Sequence, residues 1–281
     1  MLKSPPPLLH WNNLPIWAKD NDLIDNHYRT HTRVTAILCL KSVFKMHNET
    51  INIWTHMVGF FYFLVVFARL FTTLGPEWIL GDIVAWTCFA LSCLLMMFFS
   101  TTFHIFMNHS EDIYRRTVAL DYVGIIAMAW GHIIVATRFM FWCNTAIQVY
   151  IIVPTTTLCA CVIATIIVPK YATPEYRKHR TAMFASVGAC GLVPLVLFTA
   201  RNGDDLVCIH IMQHLWTTKL MYIVGAVVYT TRFPECVFPG KVNLYFASHQ
   251  ILHICGFFGS ALWYIACREA TMRVHAVKFL C

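Results

Sequence analysis

Charge is what this 281-residue chain lacks most: Asp, Glu, Lys and Arg make up 12% of it, whereas 58% is hydrophobic. Soluble domains carry about 25% charged residues, so an ordinary water-surrounded globule is excluded. Acidic residues are the scarcer sign, 14 against 21 Lys and Arg, for a formal net charge of +7. Such a surplus points either to nucleic acid or to an anionic membrane face, and its placement along the chain decides between them. The first 30 residues contain no apolar run and include Pro5, Pro6 and Pro7 in succession, so no cleavable signal peptide is expected. Internal repeats, low-complexity tracts and any compositional break marking a second domain are also missing. Cysteine is not scarce. However, Cys88, Cys93, Cys159, Cys161, Cys190 and Cys255 sit inside apolar stretches, as small core residues do, rather than in the pattern of a secreted disulfide framework.

What is present is a series of apolar windows. A helix crossing ~30 Å of hydrocarbon needs about 20 mainly apolar residues. Windows of that kind fall at about 52–71, 83–106, 119–140, 147–168, 181–200, 215–231 and 248–266. Lys219 makes the sixth the weakest, and Pro154 and Pro194 lie inside the fourth and fifth, where kinks are tolerable. The expected fold class is an all-α seven-transmembrane helix bundle over residues 51–267, between an N-terminal segment 1–50 and a tail 268–281. Residues 33–46 alternate apolar and basic side chains at helical spacing. They read either as a short amphipathic helix on the membrane surface or as one docked against the bundle. Asn48 and Thr50 are candidate caps for the first span.

With seven spans, 14 of the 21 basic residues fall on the side of the N-terminus. Arg69 and Arg138 are on the other side, near span ends, where they can snorkel. The positive-inside rule then makes the N-terminus cytoplasmic and the C-terminus extracellular, the reverse of a G-protein-coupled receptor. The sequons at Asn48 and Asn108 lie on the cytoplasmic side, so neither is expected to carry sugar.

Four ionisable residues stand inside the windows where polarity is costly. His249 and His253 open the seventh, His104 closes the second and Asp121 opens the third. Because span direction alternates, all four lie at one depth, near the cytoplasmic end. Histidines four residues apart project two imidazoles from one helix face, and His104 supplies a third nitrogen. Three nitrogens with one open position for water is the pattern of catalytic Zn²⁺. Asp121 is placed to take a proton from that water as a general base, and Ser100, one turn before His104, to hydrogen-bond behind the ligands. Gln250 follows His249, so the motif is not the H-E-x-x-H of soluble metalloproteases. Haem is disfavoured, since two imidazoles on one helix face do not reach both faces of a ring. His56 and His132 read as packed, hydrogen-bonded residues. The remaining histidines (10, 27, 31, 47, 109, 179, 210, 214 and 275) fall in loops or ends and read as solvated.

These residues carry a resemblance. Glu49-Thr50-Ile51-Asn52-Ile53-Trp54-Thr55-His56, Ser100-Thr101-Thr102-Phe103-His104, Leu120-Asp121-Tyr122, Phe238-Pro239-Gly240-Lys241 and Ser248-His249-Gln250-Ile251-Leu252-His253 together resemble the progestin and adipoQ receptor family, in its adiponectin-receptor branch. The resemblance covers nearly the whole chain. It implies zinc held by His104, His249 and His253, with Asp121 beside the metal's water and Ser100 behind it. It also implies a receptor tied to fatty-acid metabolism, with ceramidase activity ascribed to family members. The implied partners are a membrane lipid, fatty acid or ceramide within the bundle and an extracellular adipokine-like ligand. No nucleic acid is expected, and the plasma membrane is favoured over internal membranes. Two functions follow, a zinc amidase acting on a lipid such as ceramide, and a signalling receptor of adipokine or steroid type in which zinc is structural. The N-terminal segment is shorter than that of typical adiponectin receptors, and Asn108 and Cys236 depart from the family pattern without touching the metal set.

Overall fold

The computed structural model describes residues 7–32, 34–202 and 206–277, and its described elements are helical except for one isolated bridge between Leu9 and Tyr28. The α-helices are α1 Ala36–Ser42, α2 Thr50–Thr72, α3 Leu80–Phe106, α4 Glu111–Met140, α5 Thr145–Ile166, α6 Arg177–Cys190, α7 Leu192–Asn202, α8 Leu206–Thr231 and α9 Ser248–Val277. Several starts are marked chemically. Thr35 Oγ1, Ser110 Oγ and Asn144 Oδ1 accept the N–H groups of Leu38, Ile113 and Ile147, satisfying donors that a first helical turn leaves open. Helix α2 has no such cap. Thr50 Oγ1 accepts instead from His47 N–H and donates to the Lys45 carbonyl, while Asn48 donates to the Glu49 carboxylate. The amphipathic stretch expected over 33–46 is helical over Ala36–Ser42; Arg33 lies outside the described residues, as does the chain beyond Val277. Helix α9 itself continues into the stretch expected as a tail.

Among the described residues six helical segments are long and apolar enough to cross a membrane: α2, α3, α4, α5, α6–α7 over Lys178–Asn202, and α9. Helix α8 has 26 residues, or ~39 Å at 1.5 Å per residue, but His210, Gln213, His214 and Lys219 dilute its apolar character. Only 28–56% of each apolar window is buried inside the protein. Phe61, Leu95, Phe98 and Val153 are among the side chains left facing outward, and lipid is the medium that such a surface requires. The chain is a multi-pass integral membrane protein.

The fifth segment is two helices rather than one kinked span. A Cβ on Gly191 would lie 2.6 Å from Lys219 Nζ, so glycine at the break is what admits the ammonium. Lys219 thereby reaches the C-terminal end of α6, where open carbonyls favour a cation, with the Trp263 ring 4.8 Å away. Pro194 then sits in the first turn of α7, where a missing N–H costs little, whereas Pro154 is interior to α5.

Away from the N-terminal segment the core is aromatic. Trp86, Trp263, Phe63 and Phe89 are fully buried, and the indole N–H groups are satisfied by Thr271 Oγ1 at 3.1 Å and the His132 carbonyl at 3.0 Å. At that end Asp82, fully buried, accepts from Arg138 Nε and Nη2 at 3.1 and 2.9 Å and lies 3.1 Å from His275 Nε2. The Arg138 guanidinium also stacks on Trp142 at 3.9 Å. Arg138 therefore does not snorkel as expected, and His275 is not a solvated terminal histidine. Among the described residues ten cysteines are free, but Cys143, in the loop between α4 and α5, is disulfide-bonded.

The N-terminal segment is strapped across the other end of the bundle. Asp25 and Asn243 exchange hydrogen bonds, Asn21 donates to Glu235, Arg232 pairs with Asp22 at 2.7 Å, and Gly240 N–H donates to the Leu23 carbonyl. Gly240 has φ +70°, and Asp25 occupies the space where its Cβ would be, so both conformation and contact select glycine. His47, expected in solvent, is buried there: Nδ1 accepts from Glu49 N–H, and Nε2 faces the Ser42 carbonyl at 3.1 Å. Burial, with Arg29 nearby, pushes its pKa down to about 3, so the ring is neutral in the folded chain.

Candidate metal centre

Helix termini bring the predicted residues together. His104 is in the last turn of α3, and His249 and His253 are in the first turns of α9. Their ring centroids are 4.7–5.0 Å apart, and one ligand-capable atom from each lies within 4.8 Å of the other two. His104 and His253 are buried, at 1% and 4% exposure. Ser100 and Asp121 are buried beside them and line the same cavity. Asp121 is outside the three-atom convergence, in electrostatic reach of His104 and next to Ser100.

The donor chemistry fits a borderline metal ion. His104 Nδ1 lies 2.7 Å from Glu49 Oε2. An ionised carboxylate only accepts, so Nδ1 carries the proton and Nε2 keeps a lone pair. That Nε2 is buried without a hydrogen-bond partner, as is His253 Nδ1. Buried imidazole nitrogens left unsatisfied are costly unless something ligates them, and zinc, copper, iron or nickel accepts such nitrogens. His104, His249 and His253 can therefore hold a metal ion.

Three supporting residues were missed in the sequence. Glu49 orients His104, the carboxylate–histidine arrangement that fixes the tautomer of a metal ligand. Burial pushes its carboxyl up, but the hydrogen bond with His104 and the proximity of His104 and His249 outweigh this and hold it below the usual carboxylate range. Its signal was an acidic residue three positions before the first apolar window, at the depth of the histidines. Arg29, also buried, donates to the carbonyls of His104 and Ile105 at 2.5 and 2.9 Å and to Ser42 Oγ, completing the C-terminal end of α3. Burial lowers its pKa to about 10, which leaves it charged at neutral pH. Glu235, fully buried, accepts from the backbone N–H and hydroxyl of Ser248, fixing the start of α9 one residue before His249. Gln250 adds a tie to the Leu244 carbonyl at 2.9 Å. Glu49→Gln is expected to keep the fold and weaken zinc binding by roughly 10–100-fold, measured by chelator competition; unchanged affinity would show that Glu49 does not support the metal.

One other expectation needs correction. His132 is hydrogen-bonded as expected, to the Met128 carbonyl and Tyr222 hydroxyl. His56 is not: it stacks on His253 at 3.9 Å with both nitrogens buried and unpartnered. Asn108 is 5% exposed and donates to the Thr30 carbonyl, so no glycan fits there in the folded chain, whichever side of the membrane it faces.

The centre opens into a cavity of about 580 Å³, lined from Asp20 and Tyr28 past His104 and Asp121 to His132 and Lys219. Asp121 and His132 are 11 positions apart on α4, so the cavity reaches ~16 Å into the bundle.

Residues 44–264 match the haemolysin-III-related family, a span that includes His104, His249, His253, Asp121, Ser100 and Glu49. The chain is 32% identical over 259 residues to human progestin and adipoQ receptor family member 3, covering 88% of this chain and 80% of that one. The chain belongs to the progestin and adipoQ receptor family. It is also 29% identical to the adiponectin receptor protein of Drosophila melanogaster, over 96% of this chain, and 28% identical to progestin and adipoQ receptor-like protein 1 of Caenorhabditis elegans, over 88%. It spans 63% and 57% of the length of these two relatives. In this family member, four of the five sequence blocks that carried the resemblance fold around the centre: the start of α2, the end of α3, the first part of α4 and the start of α9; the fifth, with Gly240, meets the N-terminal segment.

Proposed function

We propose that this family member is a seven-span receptor of adiponectin-receptor type that holds zinc at His104, His249 and His253 and hydrolyses a lipid amide of the ceramide class, thereby regulating lipid metabolism. The observation that carries this reading is the grouping of unsatisfied buried atoms: His104 Nε2, His253 Nδ1 and Asp121 Oδ1 face one lipid-sized cavity without hydrogen-bond partners. Bound zinc supplies Lewis acidity toward an amide carbonyl and makes water acidic enough to deprotonate near neutral pH. Asp121 accepts the proton at Oδ1 and returns it to the leaving amine. Ser100 lies against Asp121, and Glu49 holds the His104 ring in orientation. Met96, Ile125, Phe184 and Leu192 give the cavity apolar walls that receive an acyl chain and exclude bulk water.

In this proposal α8 is the sixth of the seven spans, shielded by α9 and by the seating of Lys219 at the α6–α7 break. The N-terminal segment faces the cytoplasm. The disulfide at Cys143, at the opposite end, supports that orientation, since disulfides persist in oxidising compartments. A second reading, a signalling receptor with structural zinc, is favoured by the ligands' origin in two helices, α3 and α9, that the ion would tie together. An adipokine-like or steroid ligand would then be the partner, and the plasma membrane the site of action.

Zinc content and fatty-acid release from ceramide, measured on the purified chain and on His104→Ala, test the proposal. The substitution is expected to remove one equivalent of zinc and abolish release. Retained zinc would overturn the metal assignment, and release that survives zinc loss would overturn the hydrolase.

A further inference from the structure

At the other end of the bundle, helix α8 carries two histidines in its first turns. His210 and His214 are four residues apart and share a helix face, with ring centroids 4.8 Å apart. Glu269 reaches them from α9, and one ligand-capable atom from each of the three residues lies within 4.8 Å of the other two. Glu269 Oε2 is 3.8 Å from His210 Nε2, beyond hydrogen-bond range. That oxygen is shielded from solvent and has no hydrogen-bond partner. A carboxylate oxygen so placed lacks the donor that would ordinarily satisfy it. The neighbouring cation, Arg273, lies one turn further along α9 and directs Nη1 to Cys208 Sγ at 3.1 Å. Glu269 is 16 positions beyond His253, ~24 Å along α9, so this cluster is separate from the centre described above. The His210 side chain is 61% exposed, which leaves the cluster open to ions in solution.

We propose that His210, His214 and Glu269 bind a divalent transition-metal ion of the zinc class at the membrane face opposite the His104 cluster. Two imidazole nitrogens and one carboxylate form a borderline donor set suited to Zn²⁺, with an open position for water. Calcium and magnesium, which take oxygen ligands, are poorly matched. The ligands come from two helices, so the ion fastens the start of α8 to the late part of α9. Helix α9 then carries ligands for both centres, one near each end. The inference rests on these three residues alone and does not require the His104 cluster to be occupied.

Equilibrium dialysis of the full chain in detergent micelles against Zn²⁺ alone provides the test, with wild type, His210→Ala/His214→Ala, Glu269→Gln and His104→Ala compared. The double variant, altered in accessible side chains, is expected to lose one equivalent relative to wild type, and Glu269→Gln to weaken that equivalent at least tenfold. His104→Ala is expected to retain it, which separates failure of this site from failure of the other. Equal stoichiometry in wild type and the double variant overturns the proposal. Unchanged affinity in Glu269→Gln overturns the three-ligand site, leaving only a histidine pair.

Discussion

Asp121→Asn is expected to lower lipid-amide hydrolysis by roughly 10²–10⁴-fold, the usual contribution of a positioned general base, while zinc content stays at the wild-type level. Asparagine nearly matches aspartate in volume and shape, so the buried pocket beside Ser100 remains filled. What changes is proton affinity: an amide oxygen is too weak a base to hold the proton that hydrolysis must move from water to the leaving amine. The metal is predicted to persist because Asp121 lies outside the convergence of His104, His249 and His253. Turnover of ceramide and zinc content, measured on the same preparation, check the result. Undiminished turnover in the variant would remove Asp121 from the chemistry. Absence of turnover in wild type and variant alike, with ligand signalling intact, would leave the receptor with structural zinc as the better reading.

Asp82→Ala is expected to destabilise the folded chain by about 3–5 kcal/mol, the cost of stranding one partner of a buried ion pair. Asp82 is fully buried, while its partners Arg138 and His275 have side chains only 15% and 9% exposed. Removing the carboxylate leaves the guanidinium against Trp142 without its counter-ion. Apolar replacement of both partners, Asp82→Leu with Arg138→Met, is expected to recover most of the loss, because desolvation of the two charges offsets much of their attraction. Thermal unfolding in micelles measures both. A cost below about 1 kcal/mol for the single variant, the range of exposed pairs, would mean that Arg138 escapes to water and that snorkelling describes it after all.

The three histidines and Asp121 could be read from the sequence because membrane burial makes polar residues conspicuous, and because alternating span direction converts chain position into depth. The same reasoning does not reach Asp82, which falls one residue outside its window and whose partner Arg138 is 56 positions away. Nor does it reach Glu49 and Arg29, whose partners are 55 and 75 positions away. His47 and His275 read as solvated because they lie near apparent ends, yet an end is buried wherever another segment packs over it. The N-terminal strap illustrates this: Asp25 and Asn21 meet Asn243 and Glu235 across more than 200 positions, and no periodicity records such a contact.

By itself the sequence determined the medium, the helical class and the depth of the polar residues, since each follows from local composition: an apolar run of membrane length has few alternatives to a helix in hydrocarbon. Tertiary structure alone decided which atoms meet. It set the His104 tautomer through Glu49, split the fifth segment at Gly191 to seat Lys219, and drew Glu269 to His210 and His214. Those outcomes depend on packing between segments far apart in the chain, where a shift of a few ångströms separates a ligand set from unrelated side chains.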